Sequence, residues 1–352
     1  MALTVLQVSY PLAPVGIDTA GGAEQILAWL DRGLTARGDR SLVVAPEGSR
    51  VAGTLLPVPR TDGALDAAAM AAARDRHRTA ILRALERHPV DLVHLHGIDA
   101  LDYLPPPGVP ALITLHLPPD WYPPAIWRLD RPDTWLVPVS GAQARDCPPA
   151  PGLLPPVPNG IPIAELDRRH RKAGFAAALG RVCPEKGLHL AAEAARAADR
   201  DLLIAGRLYP YPDHVRYADT VLRPALDRRR RWIGPVGFRA KRRLLGMARC
   251  VLVPSLCAET GSLVAMEALA CGTPVIAFPN GALADVVEEG VTGHLVPDVA
   301  AMADAIGRAD RIDPEACRAA ARARFGLDAM VEGYRAVYRR ILSGTPARAA
   351  AR

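Results

Sequence analysis

Two carboxylates eight residues apart, Glu259 and Glu267, flank the turn Thr260-Gly261-Ser262 within the stretch Pro254–Thr273, PSLCAETGSLVAMEALACGT. The apolar run Val251–Pro254 ahead of it reads as the end of a buried strand. Leu263, Val264, Met266 and Ala270 recur at helical spacing, and Gly272 with Pro274 stops that helix. The pattern predicts one carboxylate just before a helix N-terminus, the Thr260 or Ser262 hydroxyl as its cap, and a second carboxylate one to two turns in. Unpaired N–H groups at such a terminus attract phosphate, and a carboxylate can accept both hydroxyls of a diol. A surface helix with two solvated glutamates has the same spacing, so other residues have to decide.

A second group precedes it. Phe175–Gly180 is strand-like and runs into Arg181-Val182-Cys183-Pro184-Glu185-Lys186-Gly187, after which an Ala-rich helix starts at Leu188. Two cations at a strand's C-terminal end, beside helix N–H donors, suit a diphosphate: Arg offers a planar fork and Lys a compact charge. The glycine spacing of a Walker A loop is absent. Near the start, Leu3–Ser9 reads as a strand, followed by a loop over Tyr10–Ala20. Gly21-Gly22 then opens a helix through Leu27, Leu30 and Leu34, and Leu42–Ala45 returns as a strand. Glycines at that turn let a ligand approach backbone N–H groups closely.

The elements that must position these groups alternate between strand and helix in both halves, the pattern of parallel α/β sheets. Ala64–His88 reads as a helix; Asp91–Leu95, Ala111–Leu115 and Trp135–Val139 read as buried strands. His96 and His116 end two of these strands, where parallel sheets place their chemistry. A polar loop residue is the simpler reading of His96, while His116 stays open between that and a chemical role. Cys147–Pro162 is too proline-rich for regular structure and reads as a linker. In the second half Leu202–Ala205, Val251–Pro254, Val275–Ala277 and His294–Val296 read as strands, Gly281–Glu288 and Leu327–Leu342 as helices, and the tail after Ser343 as frayed.

The basic clusters Asp227–Arg231, Arg168–Lys172 and Lys241–Arg243 read as solvated helix faces, with contact to anionic lipid as the sharper alternative. Aromatic residues that would stack bases are not interleaved with them, which argues against nucleic acid. The chain has 352 residues, a net charge of +6 and half its residues hydrophobic, so two globular domains with ample core are expected. The six cysteines show no paired metal spacing and read as reduced thiols. No secretory leader is apparent at Met1–Leu6 and no membrane span is expected, so the expected location is cytoplasmic, with peripheral contact at the inner membrane face as an option.

Gly21-Gly22, Asn159-Gly160-Ile161, Arg181…Lys186-Gly187 and Glu259…Glu267 together resemble the retaining glycosyltransferases of family 4. The resemblance spans nearly the whole chain and is most specific from Gly180 to Val296. It implies an α/β, GT-B fold: two Rossmann-like domains facing across a cleft, with a C-terminal helix crossing back to the N-terminal domain. The implied division is residues 1–158 on the acceptor side, 159–326 binding a nucleotide-sugar, and 327–345 as the returning helix. By position, the resemblance gives Arg181 and Lys186 to the donor diphosphate, Glu267 to the ribose, and Glu259 and His116 to the sugar and reaction centre. Gly21, Gly22, Ser262 and Leu263 would complete the donor site. It implies no metal and no cofactor, only a nucleoside-diphosphate sugar as co-substrate, UDP-linked first and GDP-linked next, and a hydroxyl acceptor such as a saccharide or lipid-linked saccharide. Gly261 and Ser262 depart from the family's aromatic-Gly after the first glutamate, and Asn280-Gly281-Ala282 stands where a Gly-Gly is common. Trp121, Tyr122 and Trp127 could stack on an acceptor or pack at the cleft rim. An epimerase or phosphorylase of the same architecture is the alternative enzyme, and a catalytically silent nucleotide-binding scaffold the alternative of another class. A dinucleotide oxidoreductase is disfavoured by the missing G-x-G-x-x-G.

Overall fold

The structure, a computed structural model, describes residues 2–63 and 65–344. The N-terminal half contains β1 (Thr4–Val8), α1 (Gly22–Ala36), β2 (Arg40–Pro46), β3 (Thr54–Val58), α2 (Ala67–Arg87), β4 (Leu92–Leu95), β5 (Ala111–Leu115), β6 (Thr134–Pro138), α3 (Gly141–Asp146) and α4 (Ile163–Leu166). The C-terminal half continues with β7 (Phe175–Leu179), α5 (Leu188–Ala197), β8 (Asp201–Ala205), α6 (Pro212–Tyr217), β9 (Arg230–Trp232), α7 (Phe238–Met247), β10 (Cys250–Val253) and α8 (Leu263–Ala270). It closes with β11 (Val275–Ala277), α9 (Leu283–Val286), β12 (Gly293–Leu295), α10 (Val299–Arg308), α11 (Pro314–Arg324) and α12 (Leu327–Gly344).

Each half forms a six-stranded parallel sheet, in the orders β3-β2-β1-β4-β5-β6 and β12-β11-β10-β7-β8-β9. In both sheets the order in which strands are added reverses once, between β1 and β4 and between β7 and β10. Ligands of such sheets bind outside the strand ends at that reversal. Central strands such as β4, β5 and β10 are buried along their whole length, which is why they read as continuous apolar runs rather than alternating ones.

Several expectations are corrected. The segment Thr54–Val58 was not read as a strand, and β3 is a half-exposed edge with a proline in it. Arg230 begins β9 and is buried, so Asp227–Arg231 is not a helix face: Asp227 accepts from the backbone N–H groups of Arg229 and Arg230 and turns the chain into the strand. Residues 168–172 are not helical either, and Lys172 reaches Thr273. The proline-rich segment is no free linker. Leu154, Val157 and Asn159 donate their N–H groups to Leu136, Pro138 and Val139, pinning it along β6. The helix expected over 281–288 is one turn long, α9, and α2 starts at Ala67 behind an Asp66 cap rather than at Ala64, which lies outside the described residues. The tail beyond Gly344 also lies outside them. Tyr122 and Trp127 are buried in the N-terminal core, leaving only Trp121 of the three aromatics partly exposed.

The chain crosses back at the end. Ile161 pairs with Phe325 and Leu327, and α12 then lies on α1. A Cβ on Gly33 would come within 2.4 Å of Val331, so only glycine lets the two helices approach this closely. Gly33→Leu should overpack this contact and cost on the order of 1–3 kcal/mol, read as a lowered Tm. Unchanged melting would show that α12 is not held by this contact.

Candidate functional site

The C-terminal strand ends of both sheets face one cleft of about 510 Å³. Gly21, Gly22, His116, Arg181, Lys186, Glu259, Ser262, Leu263 and Glu267, scattered over 247 positions of sequence, all line it. The fold thus brings the residues expected at the site to one cleft, where each has particular tertiary contacts.

Arg181 follows β7 and makes no ion pair among the described residues; its guanidinium faces Glu24, Glu185 and Tyr209. Lys186 lies in the single 3₁₀ turn Pro184–Lys186 and donates to Glu259 Oε1 at 2.6 Å. The Ser255 hydroxyl donates to the same oxygen. Burial pushes the Glu259 carboxyl up, but Lys186 and Ser255 more than offset it, and it stays ionised below the usual carboxylate range. Gly187 follows in the left-handed region, φ +58°, and a Cβ there would sit 2.2 Å from the Pro254 carbonyl oxygen. This approach brings the Lys186 turn against the end of β10. Gly281, φ +60°, packs on the Glu259 backbone in the same way, and Ala282 N–H donates to Glu259 O at 2.7 Å. The single glycine of Asn280-Gly281-Ala282 therefore suffices where two were expected.

Ser262 is the N-cap residue of α8, yet its side chain caps nothing. Thr260 does not cap it either: its hydroxyl crosses the cleft and donates to His116 O at 2.9 Å. The expected hydroxyl cap is thus corrected, and the α8 terminus keeps N–H groups free for a ligand. Glu267 is buried and accepts from Lys241 Nζ at 2.5 Å, while Lys241 also reaches Gln25 of α1 at 2.8 Å. Lys241 was read as part of a solvated face; in fact it ties α7, α8 and α1 together. Further bridges between the halves run from Phe238 N–H to Asp18 at 2.6 Å and between the Tyr10 and Tyr211 hydroxyls at 3.2 Å.

Gly21 caps α1 without a side chain, and a Cβ there would collide with the Glu24 carboxylate. Gly22 faces Leu263, 3.5 Å from where its Cβ would stand. Glu24, missed in the sequence, is buried in the cleft, and burial raises its carboxyl above the usual value against the pull of the helix N–H groups and Arg181. Its i+2 position after a Gly-Gly was the only signal available.

His96, read more simply as a loop residue, is inside the site. Its Nδ1 is 2.9 Å from His116 Nε2 and its Nε2 2.9 Å from Gln7 Oε1. Behind it His94 bonds Tyr338 at 2.8 Å and Thr114 at 2.7 Å. Burial holds His94 and His96 well below the usual imidazole range, His116 down to about 3 and the orphaned core residue His77 to about 4. These rings are neutral when folded and take up protons on unfolding below the ordinary 6.5. The unfolded state then binds more protons, so stability rises with pH over this window and falls on acidification. Each fully buried ring contributes up to about 1.4 kcal/mol per pH unit. Thermal melts from pH 6.5 to 4.5 should fall more steeply in the wild type than in His77→Phe; equal slopes would contradict this.

Among the described residues, one group has metal-ligand chemistry: Cys183, Glu185 and His214, whose ligand atoms lie within 4.8 Å of one another. Burial raises the Cys183 thiol to about 12, and the Arg181 cation faces all three residues, so the group is poorly suited to a cation. The chain does contain a D-x-D sequence, Asp199-Arg200-Asp201. It leads into β8, whose first residue is Asp201, at the end of the sheet away from the cleft, and Arg229 pairs with both carboxylates. All six cysteines are free thiols. No helix among the described residues is long and apolar enough to cross a membrane.

The family described as Glycosyl transferases group 1 matches residues 172–309. The phosphatidyl-myo-inositol mannosyltransferase of Mycobacterium leprae is 26% identical over 84% of this chain and 85% of its own length. A D-inositol 3-phosphate glycosyltransferase of Catenulispora acidiphila is 47% identical, over only 28% of this chain and 25% of its own. Among solved structures, AviGT4, a glycosyltransferase involved in avilamycin A biosynthesis, is 25% identical with a TM-score of 0.72 over 97% of this chain and 99% of its own. HepE of Anabaena, solved with UDP and glucose, is 16% identical with a TM-score of 0.74 over 96% of this chain and 100% of its own, a likeness of fold.

Proposed function

We propose that this chain, a glycosyltransferase with the GT-B fold, is family 4-like and transfers a sugar from a nucleoside diphosphate to a hydroxyl acceptor with retention at the anomeric carbon. The observation that carries this is the juxtaposition, at one sheet reversal, of Arg181 and Lys186 with the uncapped N-terminus of α8. Two cations and a helix dipole converge where a leaving diphosphate would accumulate charge. The diphosphate itself accepts the acceptor's proton on the face it leaves, so no side chain need act as a strong base. Glu259, ionised and held by Lys186 and Ser255, orients the sugar. Glu267 receives the ribose hydroxyls at its second oxygen, Lys241 holding the first.

A UDP-linked donor is favoured, with GDP next, because the HepE structures contain UDP and UDP-glucose. Residues 1–158 would present the acceptor, residues 159–326 the donor, and 327–345 would join the two. Inositol phosphates lead the acceptor panel because relatives are named for them. Peripheral membrane contact keeps only part of its basis, since Arg230 and Lys241 point inward.

The test is a thermal-shift screen of UDP-, GDP-, ADP- and dTDP-sugars, followed by NMR of the product's anomeric proton. Binding of one donor and a product with the donor's anomeric configuration are expected. An inverted product would overturn retention, and failure of every nucleotide-sugar to bind would overturn the donor class.

A further inference from the structure

The imidazole of His116 is not free to choose its tautomer. We infer that His96 and Gln7 are positioning residues that hold His116 as the Nε2–H tautomer, leaving its Nδ1 lone pair open to the cleft as an acceptor for a ligand hydroxyl. The inference rests on the reading of His116 as a group beside the transferred sugar.

The polarity follows from the partners. Gln7 presents its carbonyl oxygen Oε1 to His96 Nε2 at 2.9 Å, and an oxygen without a hydrogen can only accept, so His96 carries its proton on Nε2. A neutral His96 then has a lone pair on Nδ1. The group facing it at 2.9 Å, His116 Nε2, has to donate. A neutral His116 with its proton on Nε2 has its lone pair on Nδ1. That atom has no partner among the described residues and is not among the buried orphans, while the residue lines the cleft. Gln7 and His96 are 0% and 2% exposed, so no water competes for these bonds. The two rings also stack, centroids 5.2 Å apart and 24° between planes, which restricts rotation about the bond they share.

Behind Gln7 lies the Tyr338 hydroxyl, and the Gln7 Nε2 is buried without a hydrogen-bond partner among the described residues. The Tyr338 hydroxyl is hydrogen-bonded to His94 Nδ1 at 2.8 Å. His94 Nε2 is 2.7 Å from the Thr114 hydroxyl, which bonds Tyr334 at 3.1 Å. Turning the Gln7 amide over would place its NH₂ against His96 and its carbonyl against Tyr338, and would reverse the tautomer of His116. Among the described residues no other titratable group is hydrogen-bonded to either ring of the His96–His116 pair. Burial keeps both rings neutral, so the alternation of donor and acceptor persists across neutral pH.

The experiment uses the full chain labelled with ¹⁵N at histidine. Long-range ¹H–¹⁵N spectra distinguish the two tautomers at each ring nitrogen without any ligand. The wild type should show His116 protonated on Nε2. His96→Asn keeps an acceptor near the place of Nδ1 and should keep that tautomer. His96→Leu should give a mixture, as should Gln7→Leu, which serves if the first does not fold. With UDP-glucose as the probe, His96→Leu should lower kcat by about 10-fold or more with little change in donor KM, and His96→Asn should recover most of it. A wild-type His116 protonated on Nδ1, or a His96→Leu enzyme with tautomer and kcat unchanged, would overturn the inference. An unimpaired His116→Ala enzyme would instead overturn the role of His116 in transfer and leave the tautomer assignment standing.

Discussion

Lys186→Ala is expected to lower kcat/KM for sugar transfer by about 100-fold or more and to weaken nucleoside diphosphate binding in parallel. Removing one preorganised partner of a developing negative charge costs on the order of 10²–10³ in rate. In this chain the same change also strips Glu259 of its cation, since Lys186 Nζ and the Ser255 hydroxyl are its only side-chain partners among the described residues. A buried carboxylate left without its counter-charge protonates or draws in water, and the loop carrying it relaxes. Lys186→Ala combined with Glu259→Gln separates the two effects. The pair should regain stability, because no buried charge is left unpaired, but not donor affinity, because the cation is still missing. Calorimetric titration with UDP and steady-state kinetics measure both. Loss of transfer with donor binding unchanged would remove Lys186 from the diphosphate role.

Gly187→Ala should harm both stability and transfer, although alanine adds only a methyl group. The left-handed conformation costs a non-glycine residue about 1–2 kcal/mol. Its Cβ would lie 2.2 Å from the Pro254 carbonyl, an atom of the backbone that cannot rotate away. Either the Lys186 turn or the end of β10 has to move, and these carry Lys186 and Ser255. A loss of about 2–4 kcal/mol is expected, read as a fall in Tm, with kcat/KM falling as well. Gly234→Ala is the control: its φ is +77°, yet nothing lies within 4 Å of its would-be Cβ. It should lose only the conformational part and keep its activity. Equal effects at the two positions would show that the contact with Pro254 does not matter.

Both predictions concern residues visible in the chain before any folding. Arg181, Lys186, Glu259 and Glu267 were legible because each sits next to a local signal: an apolar strand run before it, a glycine or helix start after it. Strand ends and helix starts are written within a few residues, by hydrophobic runs and turn chemistry, so every parallel strand with a continuous apolar core was found. The strands missed, β3 and β9, are the ones whose pattern is not apolar: one is a half-exposed edge with a proline, the other starts in an arginine run.

The sequence by itself determined the alternation of strands and helices, hence two parallel sheets, and the chemical types gathered at their C-terminal ends. Only the tertiary structure decided what those residues face. Lys241 and Arg230 look like surface charge in a local window because nothing within a few residues tells that Glu267, or the backbone around Ala195, lies opposite. His96 has no local mark that separates it from a loop histidine; its partners are 20 and 89 residues away. The Thr260 hydroxyl is placed by sequence to accept from the helix N–H groups, but it instead donates to a carbonyl across the cleft, 144 residues distant. Hydrogen bonds and ion pairs are made at about 3 Å whatever the sequence separation. A pattern read along the chain therefore names the elements, and the packing of one half against the other assigns their partners.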